Sequence, residues 1–254
     1  MIGLMIVSLL LGAGGLASPR QDPGGDWDHA VAADNASSVA SVGYSNGLVI
    51  EVTCYGGSAI GVEVTGLPPA IDEASSVTLS RADGRATTIP ASVRVPGRLG
   101  VEYDERMARV MRGGGELSMR VERGQSSPVV VRVDLPEQHA NLDQVIESCG
   151  RRLNDPRDAL PILTELNAVP RATFPPARRS RTGSSDWARV EISCVVSGET
   201  RLADCQVNQQ DGGNDSYGTA VARAYNGAGV DVDDPSAATG KVVYVVVTGV
   251  TARR

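Results

Sequence analysis

Through much of the first 135 residues, apolar and polar side chains alternate with a period of two. Leu117, Met119 and Val121 are interleaved with Ser118, Arg120 and Glu122, the pattern of a strand with one buried and one wet face. Strand-like runs fall at residues 47–54, 60–65, 76–80, 85–95, 115–123 and 128–135, with Asp83-Gly84 and Gly113-Gly114-Gly115 among the turns between them. Short strands punctuated by Gly and Pro at this spacing predict a β-rich sandwich or partly open barrel. Two segments switch to helical spacing. Residues 105–112 place Met107, Val110 and Met111 on one stripe, and residues 142–152 place Leu142, Val145, Ile146 and Cys149 on another; both are expected to pack on the sheet.

The pattern changes after residue 152. Pro156, Pro161, Pro170, Pro175 and Pro176 break up residues 154–185, leaving room for one or two helical turns within 157–166. Arg178, Arg179 and Arg181 lie in this stretch and read as part of a solvated linker. Beyond it come a strand at 189–196, a turn at 197–200, a strand at 201–207, a helix at 217–224 with Asp215 or Ser216 suited to cap it, and a closing strand at 241–248. The fold class is α+β: a β-rich domain over 26–152, a linker over 153–169, and a small domain over 170–254 with an antiparallel sheet.

The order of the last elements, with Ala172-Thr173-Phe174-Pro175-Pro176-Ala177 ahead of the hairpin and Tyr217-Gly218-Thr219-Ala220-Val221 opening the helix, resembles the C-terminal domain of the TonB family. These are periplasmic energy transducers of Gram-negative bacteria. The resemblance covers about 80 residues and implies docking of an extended partner segment on a sheet edge, with main-chain hydrogen bonds supplying affinity. Full transducers add a basic start, a transmembrane helix bearing a histidine and a long Pro-rich spacer. Here His29 and His139 both lie outside the apolar N-terminus, which puts proton-motive coupling in doubt. More faintly, the layout from Trp27 through Cys54 to Cys149 resembles the periplasmic invasion-associated locus B β-sandwich family.

Residues 2–16 carry no charge and end in Gly15-Leu16-Ala17, the small-residue spacing of a signal peptidase site. A signal peptide over 1–17 and a periplasmic protein are expected; an uncleaved tether, facing the same compartment, is the alternative. The stretch is shorter than the roughly 20 residues of a spanning helix. A formal net charge of −6, and the lack of any large basic block, give no sign of a nucleic-acid partner. Aromatics are only 4% of the chain, so the cores must be built from aliphatic side chains.

Four cysteines in an exported chain read as disulfides. Cys194 and Cys205 flank a turn centred between Glu199 and Thr200, which sets them opposite in the hairpin. Cys54 and Cys149 then form the second pair, tying an early strand to a helix; free buried cysteines acting as small hydrophobes are the alternative. No short Cys-x-x-Cys spacing suggests zinc, and Asp231, Asp233 and Asp234 lack the Gly and distal Glu of a calcium loop. No cofactor is expected.

Neither histidine comes with a Gly-x-Ser-x-Gly elbow, so the expected function is non-enzymatic. The protein is expected to bind envelope proteins, with outer-membrane transporters or a second copy of the chain as candidate partners. Val243, Val245 and Val247 in an edge strand, with Arg253 and Arg254 beyond it, are the expected contact residues. An envelope hydrolase or inhibitor acting through the first domain is the competing reading; its mark would be a groove collecting His29 or His139 with carboxylates.

Overall fold

The computed structural model describes residues 25–32, 37–69, 71–101, 104–163, 187–212 and 216–250. The expected signal peptide, Phe174 with its neighbouring prolines, Arg178, Arg179, Arg181, Asp215, Arg253 and Arg254 lie outside the described residues.

The first unit is a nine-stranded antiparallel sheet. Its strands are β1 (Asp28–Val31), β2 (Ser37–Gly43), β3 (Val49–Tyr55), β4 (Ala59–Thr65), β5 (Ser76–Arg81), β6 (Ala86–Val95), β7 (Arg98–Val101), β8 (Gly115–Arg123) and β9 (Ser126–Leu135). The spatial order is β1-β2-β3-β4-β7-β6-β5-β8-β9. In β2, β3, β4 and β5 every second residue is buried, so one face of each strand supplies the core. The Tyr44 hydroxyl donates to the Asp134 carbonyl at 3.2 Å, joining the β2–β3 turn to β9 although the two are far apart in the strand order.

Two helices close this core. Helix α1 (Asp104–Val110) packs on β4, and α2 (Ala140–Ser148) packs on β2 and β3. Leu142, Val145 and Ile146 of α2 are fully buried, as are Met107 and Met111, matching the expected stripes. The chain leaves α2 through Cys149, bonded to Cys54 with a Cα–Cα separation of 5.5 Å. The bridge closes a span of 95 residues and joins helix to sheet.

The second unit has its own core and a three-stranded antiparallel sheet of order β11-β10-β12, with β10 (Trp187–Val196) central, β11 (Leu202–Gly212) on one side and β12 (Val242–Val250) on the other. Helix α3 (Tyr217–Tyr225) lies on one face, and the short α4 (Pro235–Ala238) precedes β12. Val190, Ile192, Cys194, Val196, Val243 and Val247 form the apolar face under α3. Gly218 leaves room for a side-chain cap at the start of α3. A Cβ there would sit 2.6 Å from the Gln210 Oε1, the same oxygen that accepts from the Gly218 N–H at 2.7 Å. Gln210 thereby caps the helix, while Ser216 occupies the N-cap position without a side-chain capping bond.

The Cys194–Cys205 bridge is present with a Cα–Cα separation of 4.1 Å, but the hairpin around it is less regular than its sequence suggests. Next to the turn, Val195 pairs with Ala203 and Val196 with Leu202; from Ser193 onward the partners are Gln206 and Val207. Asp204, at φ 49°, is the extra residue. This bulge shifts the register by one and leaves the cysteines opposed.

Residues 153–163 are not a bare spacer. A 3-10 turn at Pro156–Ala159 is capped by Asp155. Leu153 and Ile162 then pack against the first core, while Leu163 enters the second. Pro161 accepts from the Val242 N–H, and the Leu163 N–H donates to the Val242 carbonyl, both at 2.8 Å.

Candidate functional site

Two features of the second unit can carry chemistry or recognition. One is the outer edge of β12; the other is the charged layer between the units.

Val242 directs its N–H and carbonyl away from β10, toward residues 161 and 163. Main-chain groups alternate sides along an antiparallel strand, so those of Val243, Val245 and Val247 point inward to β10, where their partners are Cys194, Ile192 and Val190. The side chains of Val243 and Val247 are buried under α3 and that of Val245 is partly buried against the same core. The three valines expected as contact residues thus turn their main-chain groups to β10 and their side chains to the core. The outward groups belong to the other set. Val246 is 49% exposed, a large value for a valine in a sheet, and Thr248 is also exposed. Among the described residues no strand pairs with the outer side of β12 beyond Val242.

The charged layer is built largely by α1, the 3-10 turn and the sheet face opposite α3. Helix α1 is walled in on both sides. Its Met107, with Met111 just beyond the helix, faces the first core, while Glu105, Arg106 and Arg109 are also buried, at 7%, 2% and 8% exposure. Arg109 forms a two-point pair with Asp158, with Nη2 to Oδ1 at 2.8 Å. Arg106 donates to the carbonyls of Asp158 and Leu160, while its Nε and Nη1 have no partner.

Arg157 is the link between the units. It is anchored on Asp155, with Nε to Oδ1 at 2.9 Å, and reaches Ser193 Oγ at 2.9 Å and Gln206 Oε1 at 3.2 Å. Ser193 passes the chain on to Asn208 at 2.8 Å. Burial works against the Arg157 charge, but Asp155 more than offsets it and holds the guanidinium above its ordinary range. Asp155 is likewise held below the usual carboxylate range: burial opposes ionisation, and the Arg157 hydrogen bonds outweigh it.

Glu191, on the same face of β10 as Ser193, has no such partner. Burial, then the nearby Glu105, pushes its carboxyl up to about 7, against a long contact from Asn208 Nδ2 at 3.5 Å. Arg151 donates to the Ser58 carbonyl, and its buried Nε has no partner; burial lowers its pKa even though Glu105 draws it up. Among these groups lies a polar cavity of about 270 Å³, lined by residues of both units.

No sequence motif announced this layer, because its members are scattered over residues 105–109, 151–158 and 191–208. The one local signal is Asp155-Pro156-Arg157-Asp158, an acidic cap followed by Pro at the first helical position.

The histidines fall elsewhere. His139 lies 3.7 Å from Asp143 on the same helix face. His29 borders a small cavity with Ser38, Gln144 and Ser148; its Nε2 has no partner, and the Ser38 and Ser148 hydroxyls bond each other at 2.8 Å. No carboxylate lines that cavity among the described residues. Nor does any group of three His, Cys, Asp or Glu side chains converge as metal ligands, and no helix is long and apolar enough to cross a membrane, again among the described residues.

No family model matches the chain, and neither the curated proteins nor the solved structures contain a match to it.

Proposed function

We propose that this is an exported, non-enzymatic docking protein of the cell envelope, in which the second unit takes up an extended segment of another envelope protein along the outer edge of β12. The observation that carries this reading is the combination of an edge strand, outward-turned main-chain groups from Val246 on, and a half-exposed Val246 side chain beside them. A guest strand would pair with those groups and cover that side chain. The ββαβ order, with β10 central, supports the TonB-like reading of residues 170–254. The two disulfides support an oxidising compartment, in keeping with the periplasmic reading.

The reading separates two proline substitutions. Val246→Pro removes an outward donor and leaves the β10 ladder whole, a setting in which an edge strand tolerates proline. Val245→Pro breaks an inward bond and should destabilise the unit itself. The test is photocrosslinking in intact envelopes from a residue replaced at Thr248. A discrete adduct lost on adding Val246→Pro supports docking; an adduct unchanged by that substitution removes it.

A further inference from the structure

We propose that the outer face of the first sheet carries a saccharide-binding groove, with Tyr55 as its stacking platform and Glu51, Glu63 and Arg98 as the groups that hold sugar hydroxyls. None of the residues lining this groove belongs to β12, so it stands or falls independently of docking there.

Side chains alternate along β3, so Ile50, Val52 and Cys54 enter the core while Glu51, Thr53 and Tyr55 share the outer face. Tyr55 is 55% exposed, whereas Trp27, Tyr44, Tyr217, Tyr225 and Tyr244 are all buried. A chain poor in aromatics thus leaves this one ring in the open. The position diagonal to it across the β3–β4 ladder is Gly61. A Cβ added there would lie 2.9 Å from the Tyr55 Cε2 and 3.8 Å from both Cδ2 and Cζ. Equal and distinctly longer distances to the two flanking carbons place that Cβ beyond the edge of the ring, not under its face. The ring therefore stands edge-down on the glycine, which leaves its faces free of that strand.

The polar groups lie beside it and are within reach of a ligand. Arg98 of β7 forms a two-point pair with Glu63 of β4, and both side chains stay accessible, at 51% and 24% exposure. That pair engages Nε and Nη2 and leaves the Arg98 Nη1 to donate elsewhere. Glu51 lies directly across the ladder from Glu63. It attracts Arg98 yet makes no hydrogen bond or ion pair among the described residues. Glu51, Glu63 and Arg98 are the charged groups on the wall of a cavity of about 410 Å³, which Gln209 of β11 lines from the second unit. Small-molecule sites typically measure about 300 to 1,000 Å³. Carboxylates only accept and a guanidinium only donates, while a hydroxyl does both, so a polyol meets both kinds of group with one functional group. The C–H face of a sugar ring is the surface that the apolar, electron-rich face of a tyrosine takes up. A simple cation would use the ring and Glu51, but Arg98 repels it.

The test is calorimetric titration of the full chain with maltose, cellobiose, N,N′-diacetylchitobiose and tetramethylammonium. At least one disaccharide should bind with a Kd below about 5 mM. Tyr55→Leu, which keeps an apolar side chain without the aromatic face, should weaken that disaccharide at least about tenfold, while Tyr55→Trp should retain it. Gly61→Ala should also weaken it, because the new methyl displaces the ring. Tyr55 is exposed, so its replacements are expected to fold, and melting curves are recorded first; if Gly61→Ala does not fold, Glu51→Ala, which removes the open acceptor, takes its place. Three outcomes overturn the proposal: no binding of any of the three disaccharides at about 50 mM, equal binding by the unaltered chain and Tyr55→Leu, or tighter binding of tetramethylammonium than of every disaccharide.

Discussion

The two faces of the second sheet are made by alternate residues of the same strands and differ in almost every respect. Under α3, Val190, Ile192, Cys194 and Val243 are wholly buried and carry no polar side chain. On the opposite face, Glu191, Ser193, Gln206 and Asn208 meet a layer of arginines and carboxylates from the first unit. The first face derives its stability from burial, which is non-directional and tolerant of small shifts. The second depends on donors meeting acceptors at fixed places, so removing one member exposes the cost of the rest. The dry face builds the unit, and the charged face decides how it sits on its neighbour.

The difference can be probed at several strengths. The largest effect is expected in the first unit, whose core is clamped by the long-range bridge. Replacing Cys54 and Cys149 by Ala frees a span of 95 residues, and chain entropy puts the loss at about 4 to 5 kcal/mol. Denaturant unfolding should show this as a lowered midpoint, while the shorter Cys194–Cys205 span should cost only about 3 kcal/mol. Equal losses for the two bridges would contradict the loop-length argument.

Arg157→Met comes next. It leaves Asp155 and Ser193 without their partner, at an expected cost of about 3 kcal/mol. Because Arg157 joins the units, the loss should come with separation of their unfolding transitions in calorimetry. Val190→Ala, on the dry face, should lower the stability of the second unit and leave the coupling intact. A single unchanged transition for Arg157→Met would show that the layer does not couple the units.

The pH response is smaller. Glu191 has its carboxyl raised to about 7 in the folded protein, above its value in an unfolded chain. Its contribution is therefore complete below about pH 4.5 and lost as the pH rises through about 7, on the order of 2 to 3 kcal/mol. Asp155 works the other way: lowered by Arg157, its contribution is present above its ordinary value and lost as the pH falls further. Stability measured by denaturant between pH 5 and pH 8 should decline, and Glu191→Gln should flatten the decline. A profile unchanged by that substitution would place the titration elsewhere.

What the sequence disclosed follows the same division. β8 is legible because Leu117, Met119 and Val121 alternate with polar residues, and its bounds at 115–123 match the expected ones. The apolar face of β10 is legible for the same reason. β2, by contrast, builds its strand from Ser, Ala and Val, small residues without a strong polar contrast, and β7 has only four residues; neither stood out. The Asp204 bulge depends on one positive φ that nothing in Ala203-Asp204-Cys205 demands. The charged layer was invisible because an arginine bound for burial looks like one bound for solvent. On α1, Glu105 and Arg109 lie off the apolar stripe of Met107, Val110 and Met111, yet both are buried. The outward set on β12 was not legible for a related reason: alternation shows two faces, but only pairing with residues 161–163 shows which main-chain groups turn outward.

The central claim, that β12 receives a guest strand, is tested most directly by photocrosslinking from position 248 in intact envelopes, comparing the otherwise unaltered chain with Val246→Pro after both have been shown to melt cooperatively. The account predicts one discrete adduct, to another envelope protein or to a second copy of the chain, that disappears when the outward N–H of residue 246 is removed. An adduct of equal yield in both chains, or none in either, would contradict it.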